Sequence, residues 1–231
     1  MPPTWMLWNG SCMPPLPAPD YDPPSGPVPI LHQDDDLLVV NKPAGLLSVP
    51  GKGPQLADCV IARLLADDPR VLLVHRLDRD TSGVMVFART LNAQRHLGLQ
   101  FEKKVTRKAY VARVAGVVAQ DAGQVDLPLC VDWENRPLQH VNYEKGRAAQ
   151  TDWEVLERLG AETRMRLRPL TGRSHQLRVH MQQLGHPILG DTLYANGDDR
   201  AHPRLMLHAQ TLELRHPTGG AWHRFDARVP F

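Results

Sequence analysis

From His75 to Gly83 the chain reads His-Arg-Leu-Asp-Arg-Asp-Thr-Ser-Gly and sets one carboxylate, Asp78, between Arg76 and Arg79. The apolar run 71–74 leads into this stretch and a second one, 84–88, leads out of it. A strand that ends in such a charged turn presents its last side chains at the mouth of a cleft. Burial disfavours the charged form of a carboxylate and a neighbouring cation restores it, so a sheltered Asp78 needs a positive partner. The candidate lies far downstream, in Thr171-Gly-Arg-Ser-His-Gln-Leu-Arg-Val-His180. Asp78 and Asp80, with His75, also match the beginning of a metal-dependent nuclease cluster, but its remaining ligands are missing. His175 and His180 would diverge by about 140° on a helix and face opposite sides of a strand. Asp80 reads as turn chemistry beside Thr81-Ser82-Gly83, and no metal is expected. Gly45 to Gly53 is not a phosphate-binding loop, because its glycine spacing is wrong and Gly53, not Ser or Thr, follows Lys52.

The elements that position these residues are visible in the pattern. Residues 37–40 read as a strand, 55–66 as a helix and 91–103 as another helix with Thr90 as its N-cap. Short runs follow at 110–118, 141–143 and 151–156. In residues 163–168, Met165 and Leu167 alternate with Arg164, Arg166 and Arg168, which predicts a strand with one apolar and one basic face. Like charges on one face repel unless an anion or acidic neighbours answer them. Residues 173–184 read as a helix with Leu177, Met181 and Leu184 on one stripe, Gly185 as its C-cap and Pro187 as its stop. No regular alternation of strand, helix and glycine-rich turn occurs, which disfavours a doubly wound nucleotide fold and predicts α+β with a largely antiparallel sheet.

The 231 residues suffice for a substantial core, and 42% hydrophobic with 23% charged residues are soluble globular values. No apolar run reaches the ~20 residues of a membrane helix, and no basic residue precedes Lys42 as a signal peptide requires. Cys12, Cys59 and Cys130 have no paired spacing, which speaks against a disulfide framework or zinc site and suits a reducing cytoplasm. The net charge of +2 conceals an asymmetry: residues 1–41 hold five Asp and no Lys or Arg, leaving +7 on the rest. Ten of the 21 prolines fall in residues 1–29, read as a flexible extension ahead of a single catalytic domain over 30–231.

The motif at 75–83 resembles the catalytic motif of the RluA family of pseudouridine synthases, and 171–180 resembles its later arginine-bearing motif. Arg107-Lys-Ala-Tyr-Val-Ala-Arg-Val-Ala-Gly116 is similar to the family's tyrosine segment, and Val40-Asn-Lys-Pro-Ala-Gly-Leu-Leu-Ser-Val-Pro50 to its opening strand and loop. Asp132-Trp-Glu-Asn-Arg-Pro137, Gly185-His-Pro-Ile-Leu-Gly-Asp191 and Leu205-Met-Leu-His-Ala209 match further segments, in order, over residues 30–231. Likeness is greatest to the short, dual-specificity type.

The resemblance implies the pseudouridine synthase fold and isomerisation of uridine in loops of 23S rRNA and the tRNA anticodon stem-loop. It makes Asp78 the nucleophile, at ribose C1′ or base C6, with Arg178 as its ion-pair partner and Tyr110 stacking on the uracil. Leu177 would pack on the base from the other side, and Arg76 would fill the space left by the flipped uridine. Independently of the resemblance, the turn at Arg173, with the free amides of a helix start, is read as a ribose or phosphate contact, and the basic face of Arg164, Arg166 and Arg168 as an RNA-backbone contact. The reaction is redox-neutral and needs no group donor, so no cofactor is expected, and the partners are structured RNAs met by a cytoplasmic monomer with no membrane association. Where relatives of the short type carry lysines, this chain has Leu138 and His140. The reading from another class is a non-catalytic RNA-binding protein on the same fold, which would have no use for a sheltered carboxylate that repels phosphate.

Overall fold

The computed structural model describes residues 21–231. In chain order its elements are β1 (Ile30–Gln33), β2 (Leu37–Lys42), α1 (Val60–Asp67), β3 (Leu72–Leu73), β4 (Ser82–Ala88), α2 (Leu91–Glu102), β5 (Arg107–Ala115), β6 (Ala122–Asp126), β7 (Leu129–Val131) and β8 (Gln139–Val141). After these come β9 (Gln150–Arg158), β10 (Glu162–Pro169), α3 (Gln176–Gln183), α4 (Gly197–Arg200), β11 (Leu207–Arg215) and β12 (Trp222–Asp226). One mixed sheet runs β1-β2-β4-β11-β5-β10-β9-β6, with β12 added at β11 and β3 at β4; β7 and β8 form a separate hairpin. The fold is α+β and largely antiparallel, as the pattern predicts.

The unbroken apolar runs of β2 and β4 have a physical reason. Both faces of this half of the sheet are covered, so no position can be polar at low cost. Leu38, Val40, Met85 and Phe87 pack with Val60 and Leu64 of α1. Their strand neighbours Leu37, Val39, Val84 and Val86 pack with Ala93 and Leu97 of α2. The other half is covered on one side only. Ala112, Val114, Met165 and Leu167 pack with Leu177 and Met181 of α3, while the alternate residues of β10 face water.

Among the described residues one strand pair is parallel, β4 with β11, through Ser82↔His208 and Ala209↔Gly83. This pair joins the two halves. Gly83 has φ +119°, and a Cβ there would stand 2.2 Å from the Ala209 carbonyl oxygen, so the approach requires glycine. The Ser82 hydroxyl donates to His208 Nδ1 at 2.7 Å and accepts from Arg204 Nη2 at 2.5 Å. Burial first, and Arg204 with it, hold the His208 pKa at about 4, leaving Nδ1 free to accept.

Thr90 caps α2, its hydroxyl accepting from the Ala93 amide at 3.1 Å. Residues 55–66 do not form one helix: Pro54–Leu56 is a single 3-10 turn, and α1 starts only at Val60. The expected extension lies outside the described residues over 1–20. Its final part, 21–29, hydrogen-bonds to the domain that follows. The Tyr21 hydroxyl donates to the Asp58 carbonyl and accepts from the Leu47 amide, each at 2.9 Å, and Arg63 reaches the carbonyls of Pro24 and Gly26.

Candidate active site

Residues 75–81 form no regular element beyond a turn, so their backbone groups must be satisfied by other means. Two buried side chains do this. The Ser48 hydroxyl donates to the Leu77 carbonyl at 2.6 Å and accepts from the Leu77 amide at 3.1 Å. Lys42, fully buried at the end of β2, donates through Nζ to the carbonyls of Pro43, Arg79 and Thr81 at 3.0, 2.7 and 2.8 Å. Burial lowers the Lys42 pKa to about 7 against the opposing pull of Asp80 and Asp78. Three N–H donors on three carbonyls require the ammonium form. His75 is neutral: burial first, and Lys108 second, lower its pKa to about 3, and its Nε2 accepts from the Val86 amide at 3.1 Å.

Held in this way, the turn points Asp78 into a small cavity of about 110 Å³. Tyr110, Leu177, Arg178, Lys108, Arg76 and Arg173 share its lining, and it opens into a groove of about 1120 Å³. Of the site residues expected from the sequence, Asp78, Tyr110, Arg178, Leu177, Arg76 and Arg173 therefore converge. Arg76 and Arg173 are exposed at the rim, whereas Leu177 is buried in the wall. Burial, and then the Asp78 carboxylate, push the Tyr110 pKa well above the usual tyrosine range, so it rests as the neutral phenol.

Arg178 is the expected cation, but Asp78 is not its main partner. Its Nε and Nη2 donate to Asp191 Oδ2 and Oδ1, both at 2.7 Å, and its Nη1 stands 3.9 Å from Asp78 Oδ2. The Arg178 side chain is 4% exposed and that of Asp191 0%, against 29% for Asp78. The sealed pair thus holds the guanidinium beside an accessible carboxylate. Burial opposes the Arg178 charge, but Asp191 more than offsets it and the pKa is raised. Tyr194 lies against the same guanidinium, 5.1 Å from its ring centroid. Its hydroxyl accepts from the Gln139 amide at 2.9 Å and bonds His175 Nδ1 at 2.8 Å.

The helix expected over 173–184 begins later. α3 starts at Gln176 behind His175, which adopts the left-handed conformation (φ 53°), and Arg173 belongs to the preceding turn. Gln176 organises that turn, accepting from Thr171 Oγ1 at 2.7 Å and the Arg173 amide at 3.0 Å. At the other end Gly185 (φ 86°) closes the helix as expected, with the His186 amide reaching the Met181 carbonyl at 3.0 Å.

The arginine stripe is not part of the site. Leu167 pairs directly with Tyr110 and shares its face of the sheet, so Arg164, Arg166 and Arg168 project from the opposite face. Arg166 and Arg168 both bond Glu154 of β9, the latter at 3.1 Å. The strand alternation was legible, but the acidic partner answers the charge and the face is turned from the cleft. His175 and His180 are likewise occupied: His180 bonds Thr151 Oγ1 at 2.9 Å and the Leu127 carbonyl at 3.2 Å. Sequence reasoning missed Asp191, Lys42, Ser48, Tyr194 and Lys108. The available signal was that Asp191, Lys42, Ser48 and Lys108 each fall within a matched segment, with no role attached to them there.

The RNA pseudouridylate synthase family matches residues 36–183. The chain belongs to that family, in its RluA branch, and isomerises uridine in RNA to pseudouridine. It is 52% identical over 215 residues to the dual-specificity RNA pseudouridine synthase RluA of Escherichia coli (strain K12), covering 92% of this chain and 98% of the relative. The protein of that name from Yersinia pestis is 51% identical over 204 residues, 87% of this chain and 99% of the relative. Among solved structures, human RNA pseudouridylate synthase domain containing 1 superposes with TM-score 0.76 at 29% identity, over 91% of this chain and 87% of the other.

Proposed function

We propose that this chain modifies uridines in loops of 23S rRNA and in the tRNA anticodon stem-loop, with Asp78 as nucleophile and no cofactor. The observation that carries the reading is the accessible Asp78 carboxylate facing Arg178, itself fixed from behind by Asp191, in a cavity walled by Tyr110 and Leu177. The flipped uracil enters between these two walls, and Arg76 at the rim takes its place in the RNA stack. Arg173 steadies the flanking phosphate or ribose. The Tyr110 phenol stacks on the base and, being neutral, begins as a hydrogen-bond donor rather than a base. When Asp78 spends its charge on a covalent bond, one cause of the raised Tyr110 pKa disappears.

The relatives are named dual-specificity RNA pseudouridine synthases, and 52% identity over 215 residues supports carrying a dual specificity over to this chain. We read the enzyme as a cytoplasmic monomer; among the described residues no helix is long and apolar enough to cross a membrane. Mapping pseudouridines in rRNA and tRNA from cells lacking the protein tests the substrate reading. Loss at one rRNA loop and one set of anticodon loops supports it, and loss in one RNA class alone reduces it to a single-substrate enzyme. Turnover of a stable stem-loop by purified protein in EDTA tests the cofactor-free mechanism, and strict metal dependence there overturns it.

A further inference from the structure

Lys108 has no evident structural task, yet it is placed where a charge must be accommodated. It precedes Tyr110 by two residues on β5, so both side chains leave the strand on the same face. It lines the small cavity and the groove beyond. Its hydrogen-bond contact is a long one, 3.4 Å from Nζ to the Thr171 carbonyl. Burial lowers its pKa to about 8, and among the described residues no carboxylate lies within ion-pair distance to offset this. An ammonium has three donors, so Lys108 keeps free hydrogen-bonding capacity inside the cavity.

The charge count gives this lysine its meaning. Two carboxylates, Asp78 and Asp191, share the single guanidinium of Arg178. We propose that Lys108 is the cation that receives the negative charge appearing on the uracil ring when Asp78 forms its covalent bond, by hydrogen bonding a uracil carbonyl oxygen. The inference rests on the isomerisation assigned above and does not depend on which carbon is attacked. In attack at C1′, a carboxylate electron pair forms the O–C1′ bond. The N1–C1′ pair stays on nitrogen, and uracil leaves as a monoanion with charge shared by O2 and O4. In attack at C6, the C5–C6 π pair moves toward C5 and O4 as an enolate. Either way the charge that sat on Asp78 reappears on the ring, and no oxidant or reductant takes part. In the C1′ route, joining C5 to C1′ displaces Asp78 as carboxylate and clears the ring of charge. In the C6 route C5 takes C1′ from N1, and the electron pair left on N1 then expels Asp78 from C6 as carboxylate. In both, exchange of the C5 proton for one on N1 completes the isomerisation.

Arg178 cannot follow that charge, because Asp191 holds it by two nitrogens at once. A phosphate is the less fitting partner for Lys108. Phosphates stay at the wet rim, where Arg76, Arg79 and Arg173 are exposed, and contact with them requires no burial.

Lys108→Met and Lys108→Arg test this in single-turnover experiments at saturating stem-loop RNA carrying uridine or 5-fluorouridine at the target. Fluorine makes the ring a better carrier of negative charge, and consumption of the target nucleoside is read after digestion. For Lys108→Met, the loss of one preorganised charge-stabilising group predicts about 100-fold slower consumption of uridine. The loss should be at least about tenfold smaller for 5-fluorouridine, with RNA affinity and its salt dependence nearly unchanged. Lys108→Arg, which keeps the charge, should recover most of the rate. Equal losses on both RNAs overturn the proposal. So does a normal rate with weaker binding and a salt slope reduced by about one unit, the mark of a phosphate contact. If the unmodified enzyme consumes neither RNA, the isomerisation reading fails first, and that is seen before any variant is compared.

Discussion

Asp191 takes two nitrogens of Arg178, Nε and Nη2, each bond 2.7 Å long, and leaves the third, Nη1, turned to Asp78 at 3.9 Å. Asp191 also accepts at Oδ1 from the amides of Leu193 and Tyr194, at 2.9 and 3.1 Å. The guanidinium is thus tied to a loop that is itself ordered by the same carboxylate.

Asp191→Asn should therefore lower the chemical rate roughly 10- to 100-fold while leaving RNA affinity close to normal, because Arg178 keeps its charge and loses its aim. Arg178→Ala should also destabilise the fold by about 3–5 kcal/mol, since it leaves Asp191 buried and unpaired. Single-turnover rates and urea unfolding read these effects; an unaltered rate in Asp191→Asn would remove it from the positioning role.

Asp78→Asn should abolish pseudouridine formation and preserve both the fold and most of the RNA affinity, because it keeps shape and removes charge. Asp80 is paired with Arg79 at 2.8 Å and is held outside the cavity lining, so Asp80→Asn should retain substantial activity. Comparable loss in both variants would point to a paired-carboxylate mechanism.

Replacing Arg164, Arg166 and Arg168 together by Ala should leave the salt dependence of RNA binding unchanged, since they face away from the cleft and two of them bond Glu154. Removing Arg76 or Arg173 should lower the slope by about one unit each. A large change in slope for the triple variant would place an RNA track on the rear face of the sheet.

Asp34 links stability to pH. Burial acts to raise its pKa, but bonds from His32, from the Leu37 and Asp36 amides and from His216 prevail and bring it down to about 2. A depressed carboxylate pKa stabilises the fold fully above the unfolded value of about 3.9, and the contribution is lost as pH falls through about 2. With solvent screening the gain is about 1 kcal/mol. Asp34→Asn retains an acceptor for the amides, so its cost should appear at pH 6 and vanish near pH 2 in denaturant melts. A constant difference between the two pH values would contradict this linkage.

What could be read without coordinates was local. The Thr90 cap, the alternation of β10 and the Gly185 stop each depend on neighbours a few residues away, and each stands where expected. What escaped depends on distant partners. The break at 57–59, where Cys59 is extended, interrupts an otherwise plausible helical stripe, so α1 is shorter than its apolar pattern. A lysine before a proline carries no sign that it will be buried on the carbonyls of Arg79 and Thr81, 37 and 39 residues away. The purpose of the arginine stripe could not be settled either, because Glu154 becomes its partner only through the register of β9 with β10. For the cleft, the matched motifs located Asp78, Tyr110 and Arg178, whereas the carboxylate behind Arg178 emerged only with the packing.

The parallel seam between β4 and β11 also sets a timetable. Ser82 and His208, which face each other across it, are 126 residues apart, so the turn bearing Asp78 emerges in synthesis well before its fastening strand. Closing so long a separation is entropically slow and comes after the local hairpins. A nascent chain ending before Leu205 would already contain Asp78, Tyr110, Lys108, Arg178 and Asp191, yet should show no turnover when released. Activity would therefore await β11, and RNA would meet no working cleft before that strand is in place.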